Sequence, residues 1–188
     1  MEQLTNKTLA VFHSYHMSFA AWRDAGILTR ELLLYRALRP LFQKIIFATY
    51  GTDLELERQL AGPEFEVVNY KNKKALSQAD TLRVNQMSGM LAAERIKRAF
   101  PEKKLVVRCG FMWSRFQKHR NFFKKWYVSR VERRAFSMAD RIVLTSRADA
   151  DYVTKRYGAQ SAPITIIRNL VSTDLFTPSN LPRIKNRI

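Results

Sequence analysis

The apolar positions of this chain fall into short runs set apart by longer stretches of mixed character. Leu9-Ala-Val-Phe12, Lys44 to Tyr50, Phe65 to Tyr70, Leu105-Val-Val107, Ile142-Val-Leu144 and Ile164 to Ile167 are brief and rich in β-branched residues. That is the pattern of parallel strands covered on both faces. Between them apolar residues recur at helical spacing. Ile27, Leu28, Leu32, Tyr35 and Leu38 predict one helix from Ala20 to Arg39, stopped by Pro40. Glu55 to Leu60 predicts a short helix, Lys71-Asn-Lys-Lys74 a loop, and Asp80 to Phe100 a single long helix closed by Pro101. A basic, aromatic helix is predicted from Phe116 to Phe136. In the helix after Ile142-Val-Leu144, Ser146 stands at the N-cap position, Asp149 and Asp151 suit the dipole of the first turn, and Gly158 stands where a helix ends. Strands alternating with helices predict an α/β fold, a doubly wound parallel sheet in one domain.

Sheets of this kind bind ligands outside the carboxyl ends of their strands. That rule nominates three loops: His13 to Gly26, Tyr50 to Asp53 and Arg108 to Arg115. The first has no G-x-G-x-x-G, so a dinucleotide-cradling turn is not supported. His13 and His16 read either as polar contacts to a sugar hydroxyl or weak bases, or as hydrogen-bonded loop residues. Two histidines without a further ligand do not make a zinc site, and no metal or cofactor is expected. In Arg108-Cys-Gly-Phe-Met-Trp-Ser114, an arginine at a strand tip can grip a phosphate in bidentate fashion. Gly110 allows close backbone approach, and Trp113 offers a platform for a sugar ring or a lipid. The alternative is that Arg108 pairs with a carboxylate and Trp113 plugs the domain edge. Cys109, the single cysteine, reads as a packed small residue, and its solitude makes an internal disulfide impossible.

Charge sharpens this picture. The 188 residues hold 33 Lys and Arg against 16 Asp and Glu, a net charge of +17. Residues 1–70 sum to −1 and residues 71–188 to +18, so the field is one-sided and implies an anionic partner. From Arg95 to Arg134 there are 14 basic residues and 2 acidic ones. On a helical wheel Phe116, His119, Phe123, Trp126, Tyr127 and Val131 form one stripe, the expected core face. The opposite side carries Lys118, Phe122, Lys125 and Ser129, flanked by Lys124 and Arg133. A basic face with an aromatic is the pattern of a helix that lies on a membrane, and Lys118, Phe122, Lys125 and Arg133 are the expected docking residues. A merely solvated basic face is the alternative. The first residues lack the layout of a signal peptide, and no apolar run approaches the roughly 20 residues of a membrane span. These features predict a cytoplasmic protein, peripheral on the inner face of the plasma membrane. Glu132 reads as a structural residue that pairs with neighbours such as Arg133.

The order of residues near the end resembles a known family. Glu132, Ala139-Asp-Arg-Ile-Val-Leu-Thr-Ser146, Tyr157-Gly158, Ile164-Thr-Ile-Ile167, Asn169 and Thr173-Asp-Leu-Phe176 with Pro178 look like the end of the N-terminal domain of family 4 glycosyltransferases. Asn85-Gln86, Val106 to Ser114, and Trp22-x3-Gly26-x3-Arg30-Glu31-x3-Tyr35 are similar to a bacterial branch of it. The resemblance implies a Rossmann-like acceptor-side domain, one half of a GT-B fold, over residues 1–177. Residues 178–188 then begin the linker to a second, missing domain, whose Glu-x7-Glu motif binds the donor. It implies that His13, His16, Trp22, Arg23, Gly26, Arg108, Gly110, Trp113 and Ser114 face a cleft holding donor phosphates and acceptor. Asn169 and Asp174 would be hinge residues, although Arg168 replaces the usual hinge proline and Ser172 the first aspartate. The implied activity is that of a retaining hexosyltransferase moving sugar from a nucleotide-sugar to a cell-envelope glycan or lipid-linked acceptor. This half alone is expected to be inactive, since transfer needs both substrates held across a cleft. The competing reading is a basic nucleic-acid-binding module. No RNP, KH or helix-turn-helix signature supports it, so no nucleic acid is expected as partner.

Overall fold

The computed structural model describes residues 4–116 and 122–169. Seven strands form one sheet in the order β3-β2-β1-β4-β5-β6-β7: β1 (Thr8–Phe12), β2 (Lys44–Thr49), β3 (Glu66–Asn69), β4 (Thr81–Asn85), β5 (Lys104–Cys109), β6 (Arg141–Leu144) and β7 (Ile164–Ile166). Every neighbouring pair is parallel. The chain therefore reverses its direction of winding between β1 and β4, and all seven carboxyl ends lie along one edge. The doubly wound parallel sheet read from the sequence is present.

The pleat sends alternate residues to opposite faces. Leu9, Val11, Ile45, Phe47 and Val67 pack with Trp22, Leu32 and Tyr35 on one side. That cover comes from α1 (Phe19–Asp24), α2 (Leu28–Leu38) and α3 (Leu54–Ala61). Ala10, Phe12, Leu82, Val84, Val107 and Ile142 pack on the other. There the cover includes α5 (Met90–Ala99), α7 (Phe122–Met138) and α8 (Arg147–Tyr157), while α4 (Lys73–Leu76) and α6 (Trp113–Phe116) are single turns in the connections. Ser146 caps α8, its hydroxyl accepting the Asp149 N–H, and α8 ends at Gly158.

Five expectations are corrected. The long helix from Asp80 to Phe100 is instead strand β4, a 3₁₀ turn at Met87–Gly89 and then α5. Thr81-Leu-Arg-Val-Asn85 alternates, with Leu82 and Val84 facing the core, and that period of two outweighs the helical reading. The helix from 20 to 39 is two helices broken at Gly26, which has φ +68. There the Ile27 N–H reaches back to the Trp22 carbonyl and closes α1 in a left-handed C-terminal turn. Lys73 and Lys74, expected in a loop, begin α4. Three residues of the stripe expected to bury α7 are turned outward, Phe123 at 77% exposed, Trp126 at 55% and Tyr127 at 45%, while His119 lies outside the described residues. The face that packs is Val128, Glu132, Ala135 and Phe136. A buried glutamate at the centre of that face hid it from a wheel scored by hydrophobicity. Ile164 to Ile167, read as a buried run, is an edge instead, with Ile166 and Ile167 exposed.

The candidate active-site cleft

The strand tips converge at the edge where the winding reverses. On the β1 side, Tyr15, His16, Tyr50 and Tyr70 form a ring cluster, with Tyr50 stacked on Tyr70 at 4.1 Å between centroids and Tyr15 edge-on to Tyr50 at 5.5 Å. Tyr15 and His16 are exposed there, and His16 adopts φ +61. Burial pushes the Tyr50 hydroxyl up to about 12, so it stays a neutral hydrogen-bonding group.

Two residues expected at the cleft lie in the interior. The His13 ring is fully buried, stacked on Trp22 at 4.3 Å and edge-on to Phe19 and Phe47. Neither ring nitrogen has a hydrogen-bond partner. Burial holds His13 down at about 3, against the nearby Met17 backbone. His13 is therefore a neutral ring that packs against Trp22, also buried. Arg23 is exposed and paired with Asp24 at 2.9 Å, and the Cβ position at Gly26 meets open space, so that glycine serves the turn and not close packing.

The loop around this core is held from α3. Glu57 is buried and its carboxylate accepts the N–H groups of Phe19 at 2.9 Å and Ala20 at 3.0 Å, together with the Thr49 hydroxyl at 2.5 Å. A negative charge thus sits on the first turn of α1, which Ser18 also caps.

At the β4 and β5 tips a second set of polar groups is fixed. Arg108 donates to the Asn85 side-chain carbonyl at 3.1 Å and to that of Asn169 at 2.7 Å. It pairs with amides where a carboxylate was the alternative, so its charge is not neutralised. The Gly110 N–H donates to the Gln86 side chain at 2.9 Å. A Cβ at Gly110 would lie 3.1 Å from the Gln86 amide nitrogen, a contact that requires the glutamine to shift. Gln86 itself has φ +76 and ψ 158, a region reserved almost wholly for glycine. Trp113 is partly buried and edge-on to Tyr127 at 6.5 Å, which joins α6 to α7. Ser114 donates its N–H to Glu132 at 2.8 Å and shares its hydroxyl with Tyr152 at 2.9 Å. Glu132, fully buried, also takes the Tyr157 hydroxyl, so its partners are on α6 and α8 and not at Arg133. Cys109 is buried, its thiol pushed up to about 12 chiefly by burial, which suits a packed residue and not a nucleophile.

Phe122, Lys125 and Arg133 are exposed on α7, with Phe123 and Trp126 beside them. Lys118, Asp174 and the linker 178–188 lie outside the described residues. Among the described residues no helix is long and apolar enough to cross a membrane.

Asn85, Gln86 and Asn169 at the tips match the resemblance, but sequence alone gave their side chains no role beyond the hinge reading of Asn169. The comparisons with known proteins now decide the family. The model for Glycosyltransferase Family 4 matches residues 71–175. The chain belongs to family 4 of the glycosyltransferases. Its fold is that of one half of a GT-B enzyme. It is similar to the sucrose-phosphate synthase of Thermosynechococcus elongatus, at TM-score 0.62 and 13% identity over 94% of this chain and 53% of that one. It is similar also to HepE of Anabaena, solved with UDP and glucose, at TM-score 0.63 and 12% identity over 93% of this chain and 47% of that one. The family 4 chain thus spans about half the length of the solved structures it matches. No curated protein sequence matches it significantly.

Proposed function

We propose that this family 4 domain is the acceptor-side half of a retaining glycosyltransferase. It moves a sugar from a nucleotide-sugar to a cell-envelope glycan or a lipid-linked acceptor. The observation that carries this reading is Arg108, an unneutralised guanidinium held by Asn85 and Asn169 at the strand tips, where the winding of the sheet reverses. In that position it serves a phosphate of a substrate bound at the cleft. Tyr15, His16 and Arg23 on the first loop, with Gly110 and Ser114 on the β5 loop, border the acceptor, while His13 and Trp22 set the position of the first loop from within. The donor half is a second Rossmann-like domain, and the acceptor half alone turns over no substrate. The test is sugar transfer from radiolabelled nucleotide-sugars by the chain combined with a donor-side domain. The Arg108→Ala variant should lower turnover at least tenfold with an unchanged circular-dichroism spectrum. Normal turnover by that variant would remove Arg108 from the site.

The exposed face of α7 supports a second element of this reading, docking on an anionic membrane from the cytoplasmic side. Phe122, Phe123 and Trp126 stand in water between Lys124, Lys125, Arg130 and Arg133, the composition of a helix that seats aromatics at a lipid interface. Flotation with anionic liposomes at physiological salt tests it; a chain left at the bottom of the gradient would exclude docking.

A further inference from the structure

The two faces of the sheet are covered unequally. On the side of α1 to α3, the apolar cover reaches β1, β2 and β3, while β4 to β7 present Arg83, Val106, Arg108, Val143 and Ile167 only partly buried or exposed. Between this face and α2 lies a slot of about 590 Å³, a size suited to a small organic ligand. Its walls are of two kinds. Leu34 and Leu38 of α2 face Val106, Val143 and Ile167 across the slot. Arg30, Arg83, Arg108 and Arg168 share the lining with a single carboxylate, Glu31, which is already paired with Arg30 at 2.9 Å.

Among the described residues Arg83, Arg108 and Arg168 make no ion pair. Three guanidiniums around a partly apolar slot repel one another and lose hydration without return, unless an anion joins them. Two of the three are already oriented: Arg108 by its amide partners, Arg83 by lying over the Tyr35 ring at 5.0 Å. The Tyr35 hydroxyl beneath them is buried and has no hydrogen-bond partner. Its titration is raised by burial and opposed by Arg83 and Arg108. Guanidiniums match phosphate oxygens in bidentate geometry, and the aliphatic walls exclude a purely polar occupant.

We infer that this slot binds a phosphate-bearing amphiphile, its phosphate between Arg83 and Arg108 and its hydrocarbon body along Leu34, Leu38, Val106 and Val143. Because Arg108 and Gln86 also stand at the cleft edge, such a ligand reaches the transfer site with its head. Its identification as the acceptor rests on the proposed transferase function, whereas its binding does not.

The experiment is isothermal titration of the 188-residue chain with octyl phosphate below its micelle concentration, beside octanol and inorganic phosphate. Octyl phosphate should bind, with octanol and inorganic phosphate each at least tenfold weaker. Arg83→Met and Val143→Asp, in chains whose circular dichroism is native, should each weaken octyl phosphate at least tenfold. Lys155→Ala, an exposed position on α8, should leave it unchanged. The inference is overturned by absence of octyl phosphate binding, by inorganic phosphate binding equally well, or by binding that survives both slot variants or is lost in Lys155→Ala. If a slot variant does not fold, Arg83→Lys, which keeps the charge but not the fork, takes its place with the same expected loss. Octyl phosphate binding without sugar transfer in the assembled enzyme would leave the slot standing and sink the transferase reading; transfer without binding would do the reverse.

Discussion

Glu132, fully buried in α7, accepts the backbone N–H of Ser114 at 2.8 Å. With the Tyr157 hydroxyl on its other oxygen, this one carboxylate ties the β5 loop and α8 to the packed face of α7. Glu57 does the same for the first loop from α3, through Phe19 and Ala20. The two loops that border the candidate cleft therefore hang on two buried acids.

Glu132→Ala strands the Ser114 N–H and takes from the Tyr157 hydroxyl its shortest acceptor, leaving it the Ser114 hydroxyl at 3.4 Å. Each buried polar group left without a partner costs about 1–3 kcal/mol, so the variant should lose about 3 kcal/mol in urea denaturation. Glu132→Gln, which keeps one acceptor, should lose less. Combining Glu132→Ala with Tyr157→Phe should cost less than the two losses added, because both changes remove the same Tyr157–Glu132 hydrogen bond. Strict additivity would show that the two side chains do not act on each other.

Glu57→Gln should act on the first loop more than on the whole fold. The amide keeps an acceptor for one N–H of α1 but loses the charge on its first turn, worth about 0.3–1 kcal/mol. Its NH2 group also meets the donors of Thr49 or Ala20. Amide exchange at Phe19, Ala20 and Trp22 should accelerate while that of β5 and β6 stays as it was. Equal acceleration everywhere would make Glu57 a support of the global core alone.

The sheet was legible in the sequence because its central strands are short apolar runs that no helix would use. β4 was not, because Arg83 breaks the apolar pattern. That arginine faces the slot beside α2, where an apolar residue would have completed the strand signal. The packed face of α7 was hidden in the same way by Glu132. At the candidate site, the position of Arg108 and Gly110 at a strand end was legible from the sequence. His13 and Trp22 were misplaced because a histidine following a strand usually meets solvent, and here Phe19 and Phe47 close over it. Arg83 and the Tyr35 hydroxyl had no sequence signal, since their meeting depends on where α2 crosses the sheet.

His13 gives the fold an acid sensitivity. Its folded value of about 3 lies below the 6.5 of the free side chain. Between those limits the unfolded chain takes up a proton that the folded chain refuses. The contribution of His13 to stability is whole above pH 6.5 and is lost as pH falls toward 3, with a slope approaching about 1.4 kcal/mol per pH unit. Asp80 and Asp140 are held below the carboxylate range, Asp80 first by the Thr8 N–H and Asp140 by Leu105 and Lys97 against its burial. Their contribution is present above the unfolded carboxylate value and disappears at more acid pH. Denaturation between pH 7 and 5 isolates the histidine. His13→Phe should flatten the curve there, and an unchanged slope would mean that His13 takes a proton in the folded state.

Gln86 offers a test of backbone strain at the β4 tip. Its φ of +76 and ψ of 158 are costly for any side chain and free for glycine, a difference of about 1–3 kcal/mol. The Gln86→Ala and Gln86→Gly variants both lose the bond to the Gly110 N–H, so that loss cancels between them. At an ordinary position the alanine variant is the more stable by about 0.5–1 kcal/mol, because glycine has more freedom to lose. Here the order should invert, with Gln86→Gly unfolding at the higher urea concentration. The inversion bears on the candidate site because Gln86 adjoins both Gly110 and the slot. A strained residue persists only where the surroundings hold it, and here the held side chain fixes the β5 loop against β4. If Gln86→Ala proves the more stable, the tip is relaxed and the placing of Gly110 must come from Thr145, whose hydroxyl donates to the Gly110 carbonyl at 3.2 Å.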